Sequence, residues 1–206
     1  GSALADSGSV SVSAGATLDL NGSTETIGTL SGAGTVSLGA GALTVNQGAN
    51  TTFSGVVSGT GSLTKTGTGT LQLSGGNALD DDGTVNVAAG ATLDLNGTTE
   101  TIGALTGSGT VNVGAGSLSF SDPGANTFSG TLSGSSTYSI ASGVTLKGTG
   151  TYSMPVTILS GGTIAPGNSP GTISTGNLTL SNGSTATMEI DGTAAGTGYD
   201  QVSVTG

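Results

Sequence analysis

The chain has 206 residues, of which 41 are glycine, 7% are charged and 3% are aromatic, and its formal net charge is −10. Its two basic residues, Lys65 and Lys147, cannot form the cationic surface that a nucleic-acid binder needs, and anionic lipids are disfavoured as partners for the same reason. The absence of Cys and His excludes disulfides, thiolate metal sites and imidazole catalysis. No apolar run approaches the ~20 residues that span a bilayer, so we expect no stable membrane insertion.

Short cassettes with apolar residues two positions apart predict β-strands along most of the chain. In chain order they include TLDL at Thr17, TVSL at Thr35, ALTV at Ala42, SLTK at Ser62, TLQL at Thr70, TVNV at Thr84 and Thr110, and SLSF at Ser117. Polar residues alternate with the apolar ones, which predicts one buried and one wet face for each strand. Gly, Asn and Ser between the cassettes predict turns. No window has the periodicity of an amphipathic helix.

The cassettes recur within a longer repeat. The stretch TLDLNGSTETIG at Thr17 returns with one difference as TLDLNGTTETIG at Thr92, an offset of 75 residues. At the same offset, SALADSGSV from Ser2 aligns with NALDDDGTV from Asn77. The match fades after about Gly134, and a different C-terminal segment begins at about Gly150.

These observations predict one elongated all-β rod with three parts: tandem units at about 2–76 and 77–150, and a C-terminal segment at 151–206 of the same solenoid. Strands this short must stack, either in an antiparallel sandwich or barrel or in a parallel β-solenoid. We favour the solenoid because its coils place similar cassettes above one another and because glycine allows tight corners. At roughly 20–25 residues per coil and about 4.8 Å per strand, the rod would be some 40–50 Å long.

Strand alternation also assigns the residues of the repeated stretch. The expected core residues are Leu18, Leu20 and Ile27, with Leu93, Leu95 and Ile102 in the second unit. Asp19 and Asp94 are expected to face solvent, and Asn21-Gly22 and Asn96-Gly97 to form turns. Glu25 and Glu100 are expected on the solvent face or in turns.

Two longer patterns resemble bacterial autotransporters over essentially the whole chain. The passenger-associated repeats of that family are similar to GTLSGAGTVSLGAGALTV and FSGVVSGTGSLTKTGTGTLQLSGGNAL. The membrane-proximal part of its passengers is similar to GGTIAPGNSPGTIS and MEIDGTAAGTGYDQVSVTG. The resemblance implies a right-handed parallel β-helix. It also implies type V export through an outer-membrane translocator barrel and a place outside, or on the surface of, a Gram-negative cell. The barrel is absent here and the chain begins Gly-Ser rather than Met, so we expect a segment of a longer protein.

Three patterns could mark chemical sites, and each has a plainer interpretation. GNSPG at 167–171 matches the G-x-S-x-G elbow of serine hydrolases, but without a His we predict a structural loop. The run Asp80 to Asp82 could offer oxygens to calcium, but the first unit has Ala5 to Ser7 there, so we favour a solvated acidic loop. Glu189 and Asp191 could form a glycosidase pair, but the scarcity of aromatic residues favours an ordinary solvent face.

We therefore predict no catalytic residue, no cofactor and no metal site. Glycosylation is not inferred from the N-x-[ST] matches at Asn21, Asn50, Asn96, Asn177 and Asn182. The favoured function is a structural stalk that holds a distal region away from the cell. The alternative is an adhesin or self-associating, filament-forming protein with a ligand on a host or cell surface, and a polysaccharide-acting enzyme is least favoured. The segment 151–206 is expected to act as a folding nucleus, since it is rich in apolar strand residues and the resemblance implies that this end leaves the barrel first.

Overall fold

A computed structural model describes residues 3–122 and 126–206, so Ser2, where the first predicted unit begins, lies outside the described residues. The described residues form 27 β-strands and no helix. Every ladder between these strands is parallel. The strands stack into a β-solenoid of about 9 turns, which confirms the predicted architecture. The right-handed sense remains a prediction.

The coils lie on three faces, and most coils contribute one strand to each face. The first face is a ten-stranded sheet of β1 (Ser9–Val12), β4 (Thr29–Gly32), β7 (Thr51–Phe53), β10 (Thr70–Leu73), β12 (Thr92–Asp94), β15 (Thr110–Gly114), β18 (Thr131–Gly134), β21 (Thr151–Tyr152), β24 (Thr172–Thr175) and β27 (Gln201–Val204).

The second face follows the first along the chain and consists of three short sheets. They are β2 (Thr17–Asp19), β5 (Thr35–Ser37) and β8 (Val56–Ser58); β13 (Thr99–Ile102) and β16 (Ser117–Phe120); and β19 (Tyr138–Ile140), β22 (Val156–Ile158) and β25 (Leu178–Leu180). A parallel bridge between Val57 and Leu79 extends this face where no named strand follows β8.

The third face completes each coil and is a nine-stranded sheet. It contains β3 (Thr24–Ile27), β6 (Ala42–Asn46), β9 (Ser62–Thr66), β11 (Thr84–Val87), β14 (Ala104–Gly107), β17 (Thr127–Phe128), β20 (Thr145–Gly148), β23 (Thr163–Pro166) and β26 (Thr185–Ala186). Hydrogen bonds between neighbouring coils along most of the rod join residues 16 to 24 apart. Near the end of the described chain the spacing reaches 30, between Thr175 and Thr205.

The three faces enclose one continuous hydrophobic core. Leu20, Ile27, Leu93, Leu95 and Ile102 are buried as predicted. Leu18 is only half-buried, because β2 belongs to the first coil and no strand precedes it on the second face among the described residues.

The few aromatic residues concentrate in the same core. The rings of Phe120 and Tyr138 meet edge to face at 5.7 Å, and those of Tyr138 and Tyr152 stack at 5.6 Å. These contacts join the end of the repeated sequence to the C-terminal segment through ring packing, which favours a common core.

The sequence repeat is not a whole number of coils. Residues 9–12 form β1 on the first face, but the aligned residues 84–87 form β11 on the third. In the same way, β2 on the second face corresponds to β12 on the first, and β3 on the third corresponds to β13 on the second. The second unit is therefore turned by one face relative to the first, and each aligned stretch occupies two different faces.

Backbone geometry at the corners explains part of this tolerance. Asn21 and Gly22 have φ values of 47° and 75°, and Asn96 and Gly97 have 51° and 76°. Two consecutive left-handed residues are typical of a tight type I′ turn, for which Asn-Gly is the preferred pair. The predicted turns are thus confirmed, and each corner is specified locally.

Candidate functional site

The clearest error of the sequence-based assignment concerns the two glutamates of the repeated stretch. Glu25 and Glu100 were expected at the solvent face or in turns, but they are 3% and 0% exposed. Each lies in a strand two residues before an isoleucine and points inward with it. A buried carboxylate needs hydrogen-bond donors to offset its lost hydration, and the preceding coil supplies them.

The donors are backbone amides of the turn one coil earlier. The carboxylate oxygens of Glu100 accept hydrogen bonds from the backbone N–H groups of Ala78 and Leu79, at 3.0 and 3.1 Å. The Thr98 hydroxyl donates to the same carboxylate at 3.0 Å. Glu25 binds the amides of Ala3 and Leu4 in the same way, at 2.5 and 3.3 Å. The arrangement clamps one coil to the next and is repeated in both units.

A polar ladder crosses the outside of the first face where the two units meet. The Gln72 side-chain amide donates to Asp94 Oδ2 at 3.1 Å, and the Asn112 amide donates to Asp94 Oδ1 at 3.2 Å. The backbone N–H of Asn96 also donates to Oδ1, at 2.9 Å. Asp94 faces outward as predicted, yet it is only half-exposed and its carboxylate accepts three hydrogen bonds. Its counterpart Asp19 is stacked on Ser37 instead, because the unit is turned.

The ladder borders an open groove of about 360 Å³. It is lined by residues whose side chains carry amides, hydroxyls or a carboxylate: Asn50, Thr51, Thr52, Thr70, Gln72 and Asp94. Such groups exchange hydrogen bonds with polar ligands but offer no aromatic surface on which a sugar ring could stack.

The acidic run at Asp80 to Asp82 shows a structural use for its first member. Asp80 Oδ2 accepts from the Gly59 amide at 2.8 Å, and Oδ1 accepts from the Asp82 amide at 3.1 Å. Asp81 and Asp82 are exposed. Across residues 3–122 and 126–206, no group of three acidic side chains is placed to hold a metal ion.

The GNSPG stretch forms a bend after β23, and Ser169 is exposed on it. The Gly171 amide donates to Asp200 Oδ1 at 2.8 Å, and the Glu189 amide donates to Asp200 Oδ2 at 2.8 Å. Asp200 is buried and ties this loop to the segment before β27. No motif in the sequence marks Asp200. The strand-turn-helix context of a nucleophile elbow is absent from the described residues.

The remaining candidates are surface residues. Glu189 and Asp191 are exposed, as are the asparagines of the five glycosylation-type sequences. None of the described segments is a helix that could cross a membrane.

Lys65 is a further buried charge that the sequence did not predict. It occupies a core position of β9, between Val45 of β6 and Val87 of β11, and is 0% exposed. Its ammonium donates to the carbonyl oxygens of Thr66, at 2.5 Å, and Gly67, at 3.2 Å. Desolvation by burial lowers the pKa of Lys65 from 10.5 to about 8.

Comparison with known proteins gives one informative match. No protein-family profile and no solved structure matches the chain. Over 121 residues, 50% of this chain, it is 38% identical to the adhesin BmaC autotransporter of Brucella suis biovar 1 (strain 1330). The aligned part spans 3% of that relative's length. This similarity and the parallel β-solenoid together fit the passenger of a bacterial autotransporter, which is a surface-displayed or extracellular segment of a Gram-negative bacterial protein.

Proposed function

We propose that this chain is a segment of the β-helical stalk of an autotransporter passenger and that it holds a distal region away from the cell. The observation that carries the proposal is the unbroken core, which runs through both units and the C-terminal segment. A solenoid with one core resists bending between coils, because each coil is stabilised by its neighbours. Ten strands stacked about 4.8 Å apart add some 40–50 Å of reach.

Deletion of three whole coils from the full passenger tests the stalk role. Removing residues 92–150 preserves the coil path, because Thr151 stands in the same register row of the first face as Thr92. We expect the deletion to shorten the passenger while leaving export and distal binding intact. Loss of binding at normal surface levels would show that these residues do more than set a distance.

The second candidate is direct adhesion, and two observations favour it: the relative is named an adhesin, and a polar groove borders the ladder at Gln72 and Asp94. The purified chain coupled to beads should then bind target cells on its own. Gln72→Ala should weaken that binding, while Ser37→Ala, a polar change outside the groove, should leave it unchanged. Absence of bead binding leaves the stalk as the function.

During export the proposed partner is the passenger's own outer-membrane translocator barrel. The segment 151–206 would emerge first and fold first, which would draw the remaining coils outward. Support comes from Val156, Ile158, Ile164 and Ile173, all of which are buried in its coils. If residues 1–150 alone refold as fast as the whole chain and are as stable per residue, the nucleation role is wrong.

A further inference from the structure

The groove beside Gln72 and Asp94 lies where the first face is least regular. Strand β7 pairs with β4 through a single pair of residues. Asn50, which precedes β7, supplies a side-chain acceptor in place of a strand carbonyl: its Oδ1 accepts from the backbone N–H of Thr70 at 2.8 Å. The groove lies between β7 and β12, and β4 and β15 continue the sheet on either side of it. It is therefore a surface of the middle of the rod.

Asp94 brings a negative charge to this groove that neither lysine of the chain neutralises. Lys65 is buried, and its ammonium donates to the carbonyl oxygens of Thr66 and Gly67. Lys147 lies in β20, on the third face. The chain as a whole carries a net charge of −10, and a surface of that sign attracts cations and repels anions. The ligand that suits this groove therefore carries a positive charge.

The carboxylate of Asp94 also retains an unused acceptor position. Its Oδ1 accepts two hydrogen bonds, from the Asn112 side chain and the Asn96 backbone, whereas its Oδ2 accepts one, from Gln72. A carboxylate has about four acceptor positions, so Oδ2 can accept one more donor. Gln72 lines the groove and Asn112 does not, which places Oδ2 on the groove side.

We propose that the groove binds a lysine or arginine side chain of a partner protein through an ion pair with Asp94. Its volume of about 360 Å³ is at the lower end of the roughly 300–1,000 Å³ of ligand sites, which suits one long side chain. Ammonium and guanidinium groups carry only donors, and their hydrogen bonds to a carboxylate are among the strong ones. This inference rests on the direct-adhesion candidate and names the chemistry of its ligand.

Fluorescence anisotropy with short labelled oligolysine and oligoarginine peptides tests the proposal on the whole chain. We expect binding that weakens as the salt concentration rises, and no binding of the oligolysine after acetylation, which removes its charge. Asp94→Asn should weaken binding about tenfold, the loss expected for one hydrogen bond to a charged group. Asp19→Asn is the matched control, because it makes the same change of net charge on the second face and should leave binding unchanged.

Gln72→Lys is a second variant, and it leaves Asp94 in place. The new ammonium should pair with Asp94 and occupy the groove, which abolishes peptide binding. The repeat already holds a lysine at this position, because Lys147 stands 75 residues after Gln72. Ser37→Lys, beside Asp19 in register, makes the same change of charge outside the groove and should bind normally. Far-UV circular dichroism and melting curves verify the folding of every variant.

The proposal is overturned if neither peptide binds, if the acetylated peptide binds equally well, or if Gln72→Lys retains binding. An equal loss in Asp19→Asn and Asp94→Asn would also overturn it, since binding would then depend on overall charge alone. Adhesion of coated beads to cells separates this inference from direct adhesion. Bead adhesion that Asp94→Asn leaves intact would refute the cationic ligand but not adhesion. Peptide binding that follows the variants, without bead adhesion, would support the cation site and refute adhesion by this segment.

Discussion

Replacing Glu100 by alanine measures how strongly the buried carboxylate holds the preceding coil. Glu100 is 0% exposed, and the backbone amides of Ala78 and Leu79 donate to it at 3.0 and 3.1 Å. Alanine leaves both buried donors without their acceptor, and each unsatisfied donor costs about 1–3 kcal/mol. We expect the free energy of unfolding to fall by about 2–5 kcal/mol, a large part of the ~5–15 kcal/mol typical of a folded domain.

Two further variants separate the clamp from general effects of substitution. Glu100→Gln keeps one acceptor oxygen but turns an amide NH₂ toward the second donor, so we expect about half the loss of Glu100→Ala. Glu189→Ala removes an exposed glutamate and should change stability by at most ~0.5 kcal/mol.

The assay combines guanidinium titration with hydrogen exchange. A solenoid can unfold in parts, and a single denaturation midpoint then underestimates the loss of stability in one coil. In Glu100→Ala, the amides of Ala78 and Leu79 should lose protection before the rest of the core does. If these two amides stay protected and the midpoint moves no more than in Glu189→Ala, the clamp does not hold the turn.

Three other outcomes are expected. The free energy of unfolding should rise by about 1–2 kcal/mol between about pH 7.5 and 9.5, because burial lowers the pKa of Lys65 to about 8 and the side chain therefore loses its proton earlier in the folded than in the unfolded chain. Urea titration at about pH 7.5 and 9.5, below the titration of unfolded tyrosines, should show this rise, and Lys65→Met should abolish it. A Cβ on Gly55 would lie 1.7 Å from a carbonyl oxygen of the neighbouring coil, whereas one on Gly48 would meet nothing within 4 Å. Gly55→Ala should therefore lower the free energy of unfolding by about 1–3 kcal/mol and lower the melting temperature with it. Gly48→Ala should leave both unchanged. In denaturant titrations Leu95→Asp should cost several kcal/mol, and Asp94→Ser about 1 kcal/mol because it strands three donors; the reverse ranking would show that the strand register is wrong.

The strands could be predicted because apolar and polar residues alternate along them, and this alternation matches the alternation of buried and exposed side chains. Leu93 and Leu95 are buried as the pattern required. The same alternation also contained the signal for the glutamates: Glu100 stands two residues before Ile102 and so shares its inward face. The charge of a glutamate favours a solvent position, but a carboxylate can be buried when amides of the preceding coil bind it.

Other features depend on which coil lies next to which, and a local pattern does not contain that information. Lys65 is buried because Val45 and Val87 flank it in register. Asp94 collects three donors because Gln72 and Asn112 are its neighbours on the first face. The number of residues per coil varies. The residues that stack above and below a given residue therefore cannot be found by counting along the sequence.

The turn of one face between the units has a consequence for any longer run of them. A side chain that occurs once per unit would be found on a different face in each successive unit, and it would return to its starting face only in the fourth. Identical groups would thus trace a spiral around the rod, with a rise of roughly 50 Å per full circuit at about 4.8 Å per strand. A rod built this way presents the same chemistry in every direction, so a partner approaching from any side would find it without the rod having to rotate.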